Sequence, residues 1–248
     1  MDFDAVYSIW KRDLVVNWRD RGQLIGSLVR SILWLVVLGL GLKAAFRSVG
    51  GVTFSQYIFA GIIGMTLLFA GVQSAISIVW EREFGFLREL LVAPISRGSI
   101  TLAKILSGAT WAMLQGTVVL ALAPVVGVSL TPVIIIKSLA VMALMAVMLT
   151  SIGIVIASRI KSFQGFGVIV NIFIMPMFFL STAIFPLPWL PDWLKYIMMA
   201  NPLTYAVDAL RNVTVGLYDF PLWFDLGLTA ALTFLLAALA WQLFVKEI

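Results

Sequence analysis

With 62% hydrophobic and only 12% charged residues over 248 positions, this chain lies far outside soluble globular proteins, in which about a quarter of residues carry charge. Its mean hydropathy of +1.06 points to a lipid solvent. At about 20 residues per crossing, there is room for six or seven helices and no separate soluble domain. Cys and His are both absent, which excludes disulfides, thiolate or imidazole metal ligands and a histidine-based triad.

Residues 1–22 do not read as a cleavable signal, because charges run throughout and no short apolar core precedes a small-residue cleavage site. Phe3, Tyr7, Trp10, Leu14 and Trp18 recur every three or four positions, with Asp4, Lys11, Arg12, Asp13 and Arg19 elsewhere around the helix. That pattern predicts an amphipathic helix lying in the membrane interface, a surface helix packed on protein being the alternative. Six apolar runs follow, at about 24–42, 57–80, 100–128, 133–158, 163–185 and 222–245. Each is long enough to cross a bilayer as a helix, the open-chain conformation that satisfies its own backbone in lipid. The expected fold is an all-α polytopic membrane protein with six transmembrane helices in a single domain, 1–248.

The polar residues inside these runs are few. Gln73 and Ser77 share a face of the second, Gln115 lies in the third, Asn171 in the fifth, and Trp34 deep in the first. They are candidates to line a path across the membrane, interhelical hydrogen bonding and packing being the competing uses. Ala60/Gly64 and Gly71/Ala75 set small residues four apart on the second run, which suits close helix packing. No Asp or Glu falls in the middle of a run, and Arg30, Lys104 and Lys137 are near enough to an end to snorkel. An ion-driven secondary transporter, which would need an ionisable group at membrane depth, is therefore disfavoured. The phosphate-cradling pattern GxxxxGK[ST] is also missing. Work done by this chain must draw on energy supplied by another.

Between the second and third runs stands a dense charged cassette at 81–97, EREFGFLRELLVAPISR, too polar for hydrocarbon. Glu81, Arg82, Glu83, Arg88 and Glu89 provide charge; Phe84, Phe86, Leu87, Leu90 and Leu91 provide an apolar side; Gly85 interrupts it, and Pro94 and Gly98 turn the chain back towards the membrane near Arg97. A short helix of this kind can dock on a partner and pass rigid-body motion into the two attached spans; a solvated loop is the alternative. If the N-terminus is cytoplasmic, twelve of the seventeen Lys and Arg residues fall on that side. This asymmetry predicts that both termini and the cassette face the cytoplasm. The basic residues are scattered at span ends rather than gathered on one face, which argues against nucleic acid as a partner.

After the fifth run, Pro186, Pro188 and Pro191 stop the helix. Within 186–220, two short apolar helices are expected, the second opened by Asn201 as cap and Pro202 in its first turn. Each is too short to span and reads as re-entrant or interfacial. Tyr205, Asp208 and Arg211 lie on the second, where Asp208 and Arg211 are spaced to pair with each other or to reach water.

The cassette and the 201–211 segment, NPLTYAVDALR, together resemble the membrane subunit of type-2 ABC exporters, the permeases of drug, polysaccharide and teichoic-acid export. The resemblance covers essentially the whole chain, with the cassette as the family's cytoplasmic coupling segment and 201–211 as its extracellular motif. It implies a permease without catalytic residues or cofactors of its own. The permease would pair with a second copy or a sister subunit, and dock on two copies of a cytoplasmic ATPase that holds ATP and Mg. Phe86 after Gly85 fits the daunorubicin-resistance-like, multidrug branch. The expected function is ATP-driven export of an amphipathic or lipid-linked compound across the cytoplasmic membrane, with an ion-coupled transporter or a non-transporting scaffold as alternatives.

Overall fold

The computed structural model of the chain describes residues 2–41, 48–85, 95–160 and 162–247. Of the cassette, 86–94 lies outside the described residues, and with it Phe86, Leu87, Arg88, Glu89, Leu90 and Pro94.

The described chain is almost wholly helical. Helix α1 is Phe3–Arg19, started by Asp2, whose carboxylate accepts from the N–H groups of Asp4 and Ala5. Its buried face is Ala5, Val6, Ile9 and Asp13, not the aromatic stripe. Phe3, Tyr7 and Trp18 point outward. Asp20 ends α1 and caps α2, Arg21–Trp34, which continues as a π-helical stretch over Leu35–Leu40. A two-stranded hairpin, β1 Ser48–Val49 and β2 Val52–Thr53, turns through Gly50 and Gly51 at positive φ, a feature with no forerunner in the hydropathy pattern.

Helix α3, Phe54–Ser74, begins with a capping box between Thr53 and Gln56 and is buried along nearly its whole length, making it the central post. The small residues on it do what their spacing predicts. A Cβ on Gly64 would stand 2.7 Å from Val207, and one on Gly71 would stand 2.9 Å from the Thr150 hydroxyl, so neighbouring helices close to backbone distance there. At Ser74 and Ala75 the helix bends into α4, Ile76–Glu83. The hydroxyls of Ser74 and Ser77 bond to the carbonyls of Gly71 and Ser74, diverting backbone acceptors from the regular ladder.

The third run is shorter than its hydropathy suggested: α5, Arg97–Leu120, gives way to a 3₁₀ turn at Ala123–Val126 closed by Gly127 in the left-handed region. Thr131 and Pro132 then cap and start α6, Pro132–Arg159. The fifth run is α7, Phe163–Ile169, a π-helical stretch at Val170–Ile174, and α8, Met175–Phe179. It ends ahead of the prolines credited with stopping it. Two short helices follow as expected, α9 Asp192–Met199 and α10 Pro202–Val215, and then α11, Leu222–Glu247.

Among the described residues, four helices are long and apolar enough to cross a membrane: Arg21–Gly39, Phe54–Glu83, Pro132–Arg159 and Leu222–Lys246. The protein is thus an all-α membrane protein. Its core forms where α3 packs on α5 and α6, with α6 against α11 and α10 lodged beside α3.

Candidate coupling and translocation sites

At the end of the bundle that holds α1, the described roots of the cassette are fastened to every neighbouring helix end. Glu81 Oε1 accepts from Lys104 Nζ of α5 at 2.8 Å and from Arg12 of α1 at 2.5 Å. Lys104 also pairs with Asp13 Oδ2 at 3.0 Å, and Arg12 pairs with Asp13 Oδ1 at 2.8 Å. Two acids and two bases therefore alternate around one cluster, with Ser77 taking a further hydrogen bond from Lys104 at 3.3 Å. The Lys104 side chain is only 2% exposed. Snorkelling, expected from its place near a span end, is thus replaced by pairing inside the protein. Burial alone would lower the Arg12 pKa, but Asp13 and Glu81 outweigh it and raise the value, so the charge is held firmly.

The next two cassette residues grip other helices. The Arg82 guanidinium donates to the carbonyls of Ser158 and Ile160, both at 3.0 Å. These are groups that the end of α6 leaves without helical partners, and the helix dipole favours a cation there. Glu83 accepts the N–H of Phe163 at 2.9 Å, at the first turn of α7, where a carboxylate suits the opposite end of the dipole. Trp80 stacks on Phe84 and meets Phe163 edge-on. Gly85 then leaves the helix with φ +83, a conformation that disfavours any side chain. On the return strand, Ser96 caps α5, Arg97 donates to the Val245 carbonyl of α11 at 2.9 Å, and Ser99 Oγ receives the Asp2 N–H.

At the opposite end, the 201–211 segment is a buried polar knot rather than a loop. Asn201 caps α10 and also donates to the carbonyls of Met177 and Leu180, where α8 unwinds. Arg211 is 0% exposed. Its guanidinium pairs with Asp208 at 3.2 Å, lies 3.9 Å from the centre of the Tyr57 ring, and donates to the Tyr57 and Thr182 carbonyls. The second Asp208 oxygen accepts the N–H groups of Asp219 and Phe220, pinning the turn into α11. Asp225, wholly buried on α11, brings another carboxylate against Asp208. Asp219 keeps an exposed surface, but partial desolvation at this turn, with Asp208 nearby, pushes its carboxyl above the usual range. Tyr205 donates to the Met199 carbonyl at 2.6 Å.

Of the residues named for a path, the fold brings two together. Gln73 and Gln115 line a cavity of about 360 Å³ between α2, α3 and α5, with Gln23, Ser27, Arg30, Phe69 and Trp111. Trp34 belongs to an adjoining apolar groove with Arg30, Leu33 and Val37. Ser77 lines the pocket beside Arg12 and Glu81 instead, and Asn171 is exposed on the π-helical stretch, away from all three. The sequence reading missed Asp13 and Lys104 as ion-pair partners, missed Asp225, and left Arg30 as a snorkelling charge. Their polarity inside apolar or amphipathic runs was the available signal.

An apolar helical bundle with a charged intervening segment tied into the helix ends around it, and polar cavities between its spans, has the architecture of a membrane transport protein. The chain belongs to the ABC-2 type transporter family, whose pattern matches residues 4–215. It is 30% identical to a transport permease, ycf38, of Cyanophora paradoxa over 83% of this chain and 72% of that protein. It is 26% identical to Nodulation protein J of Rhizobium leguminosarum bv. viciae over 84% of this chain and 82% of that one. The protein is therefore a membrane permease subunit of an ABC transporter.

Proposed function

We propose that this permease exports an amphipathic or lipid-linked compound across the cytoplasmic membrane, driven by two copies of a separate ATPase that dock on the cassette. The observation that carries this reading is the way the cassette is rooted. Glu81, Arg82, Glu83 and Arg97 join it to α1, α5, α6, α7 and α11. A partner that tilts the segment therefore moves several helix ends together as one body. Hydrolysis, with ATP and Mg, takes place in the partner chain, and a second permease copy or a sister subunit completes the transporter. In this reading α5 and the α7–α8 stretch also cross the membrane, giving six spans with both termini cytoplasmic, and α10 dips into the outer leaflet.

Co-purification with candidate ATPases, followed by ligand-stimulated ATPase assays in lipid, tests the reading. Phe86→Ala should retain the fold and dimer but lose substrate-stimulated turnover and export, since truncating a buried aromatic anchor commonly costs more than about 2 kcal/mol of binding. Coupling as efficient as the parent's in this variant would remove the docking role.

A further inference from the structure

The cavity between α2, α3 and α5 combines a cation, one buried amide, that of Gln115, and an apolar extension. Arg30 stands nine residues into a helix that starts at Arg21, about 14 Å along its axis at 1.5 Å per residue. Within an apolar helix of this kind a cation is costly unless it is compensated. Among the described residues it makes no ion pair, and its guanidinium rests over the Phe69 ring at 5.0 Å. Among the described residues no carboxylate lines the cavity. Gln115 is buried to 2% exposure, and its Oε1 has no hydrogen-bond partner among the described residues. A buried amide left this way points to a missing ligand atom. Its N–H₂ and carbonyl can serve, respectively, an anionic oxygen and a hydroxyl.

Arg30 also opens the second cleft, about 230 Å³, whose other walls are Leu33, Trp34 and Val37. These positions continue along one face of α2, away from the α1 end. Charge therefore sits nearer the α1 end and apolar surface lies deeper, the order in which a lipid of that leaflet presents its head and tail.

We propose that the two clefts form one bipartite site for an amphiphile whose phosphate head carries net negative charge: Arg30 and Gln115 hold the phosphate head, and Leu33, Trp34 and Val37 receive the tail. This deepens the export reading, on which it rests only for calling the occupant a transported compound. A bilayer lipid would bring the same head chemistry.

The test uses the full chain in phosphatidylcholine nanodiscs, titrated with dioctanoyl phosphatidic acid, dioctanoyl phosphatidylcholine or inorganic phosphate and read by native mass spectrometry. Phosphatidic acid should bind about tenfold more tightly than either comparison ligand, the effect of one charge-assisted hydrogen bond. Arg30→Gln should remove that preference, Arg30→Lys should keep most of it, and Gln115→Leu should weaken phosphatidic acid alone. Equal binding of the two lipids, or an undiminished preference in a folded Arg30→Gln protein, overturns the site; phosphate binding as tightly as the lipid overturns the tail half. If Arg30→Gln does not fold, Gln115→Leu decides by the same criterion. None of these measurements needs the ATPase, so their failure leaves the export reading standing. Movement of labelled phosphatidic acid by the ATPase-loaded transporter identifies a cargo, while retention with intact binding identifies a resident lipid; both support the phosphate site, and only the first supports export.

Discussion

Lys104→Met is the perturbation that most directly tests how this fold is fastened at the cassette end. The substitution keeps much of the apolar stem of a side chain that is 2% exposed, but removes the ammonium between Asp13 Oδ2 at 3.0 Å and Glu81 Oε1 at 2.8 Å. Asp13 and Glu81 are 10% and 15% exposed as side chains, and among the described residues Arg12, at 43%, is the one cation left to face them, with the Ser107 hydroxyl still donating to Asp13. Removing one partner of a buried pair costs about 3–5 kcal/mol. Arg12 stays in contact with both acids, which places the expected loss near the lower figure, about 3 kcal/mol. For a chain of this size that corresponds to a fall of roughly 6–12 °C in the unfolding midpoint. The assay is thermal unfolding of the full chain in nanodiscs, with limited proteolysis at α1 as a local readout of its release from α5. Replacing the acids as well, in Lys104→Met/Asp13→Leu/Glu81→Gln, should recover much of the loss, because no uncompensated charge then stays buried. A Lys104→Met protein with an unchanged midpoint and a protected α1 would refute the claim that this cluster holds α1 and the cassette together.

Further outcomes follow from other sites. In this Cys-free chain, a cysteine at Asp192 should react with impermeant thiol reagents applied outside and one at Ser96 should not; the reverse labelling would invert the proposed topology. Arg211→Met should destabilise by about 3–5 kcal/mol in chemical unfolding, since it leaves the buried Asp208 carboxylate without its cation, with only the N–H groups of Asp219 and Phe220 to hold it, and removes one donor from each of the Tyr57 and Thr182 carbonyls. Gly61→Ala should cost about 1–3 kcal/mol, because the added Cβ would lie 2.0 Å from the Ala183 carbonyl oxygen. Asp219 has a folded pKa raised by partial desolvation. Its contribution is thus fully present below the unfolded value and lost as pH rises through the folded one, a limb that Asp219→Asn should flatten in stability measured from acid to neutral pH.

The sequence by itself determined what depends on neighbours along the chain. Its apolar runs required helices, because lipid offers the backbone no other partners. Asp2, Thr53, Thr131 and Asn201 cap helices through groups only a few residues away, and the three-residue spacing of Asp208 and Arg211 allowed either their pairing or contact with water, of which the fold takes the pairing. The small residues of α3 likewise announced close packing. Hydropathy could not place the breaks at Ala75, Leu120 and Phe179, since apolar residues continue past each one and the interruption is set by what packs there. Nor could it tell which face of α1 turns inward. Phe3, Tyr7 and Trp18 form the apolar side of that helix, yet the protein buries Asp13, whose charge is met by Lys104 from a distant span. Tertiary structure alone decided that pairing, as it decided that Gln73, Gln115 and Arg30 share a cavity while Asn171 does not. The physical reason is common to these cases. Spacing fixes where a side chain lies around its own helix, but whether a polar group there is stranded or satisfied depends on which other helix arrives against it.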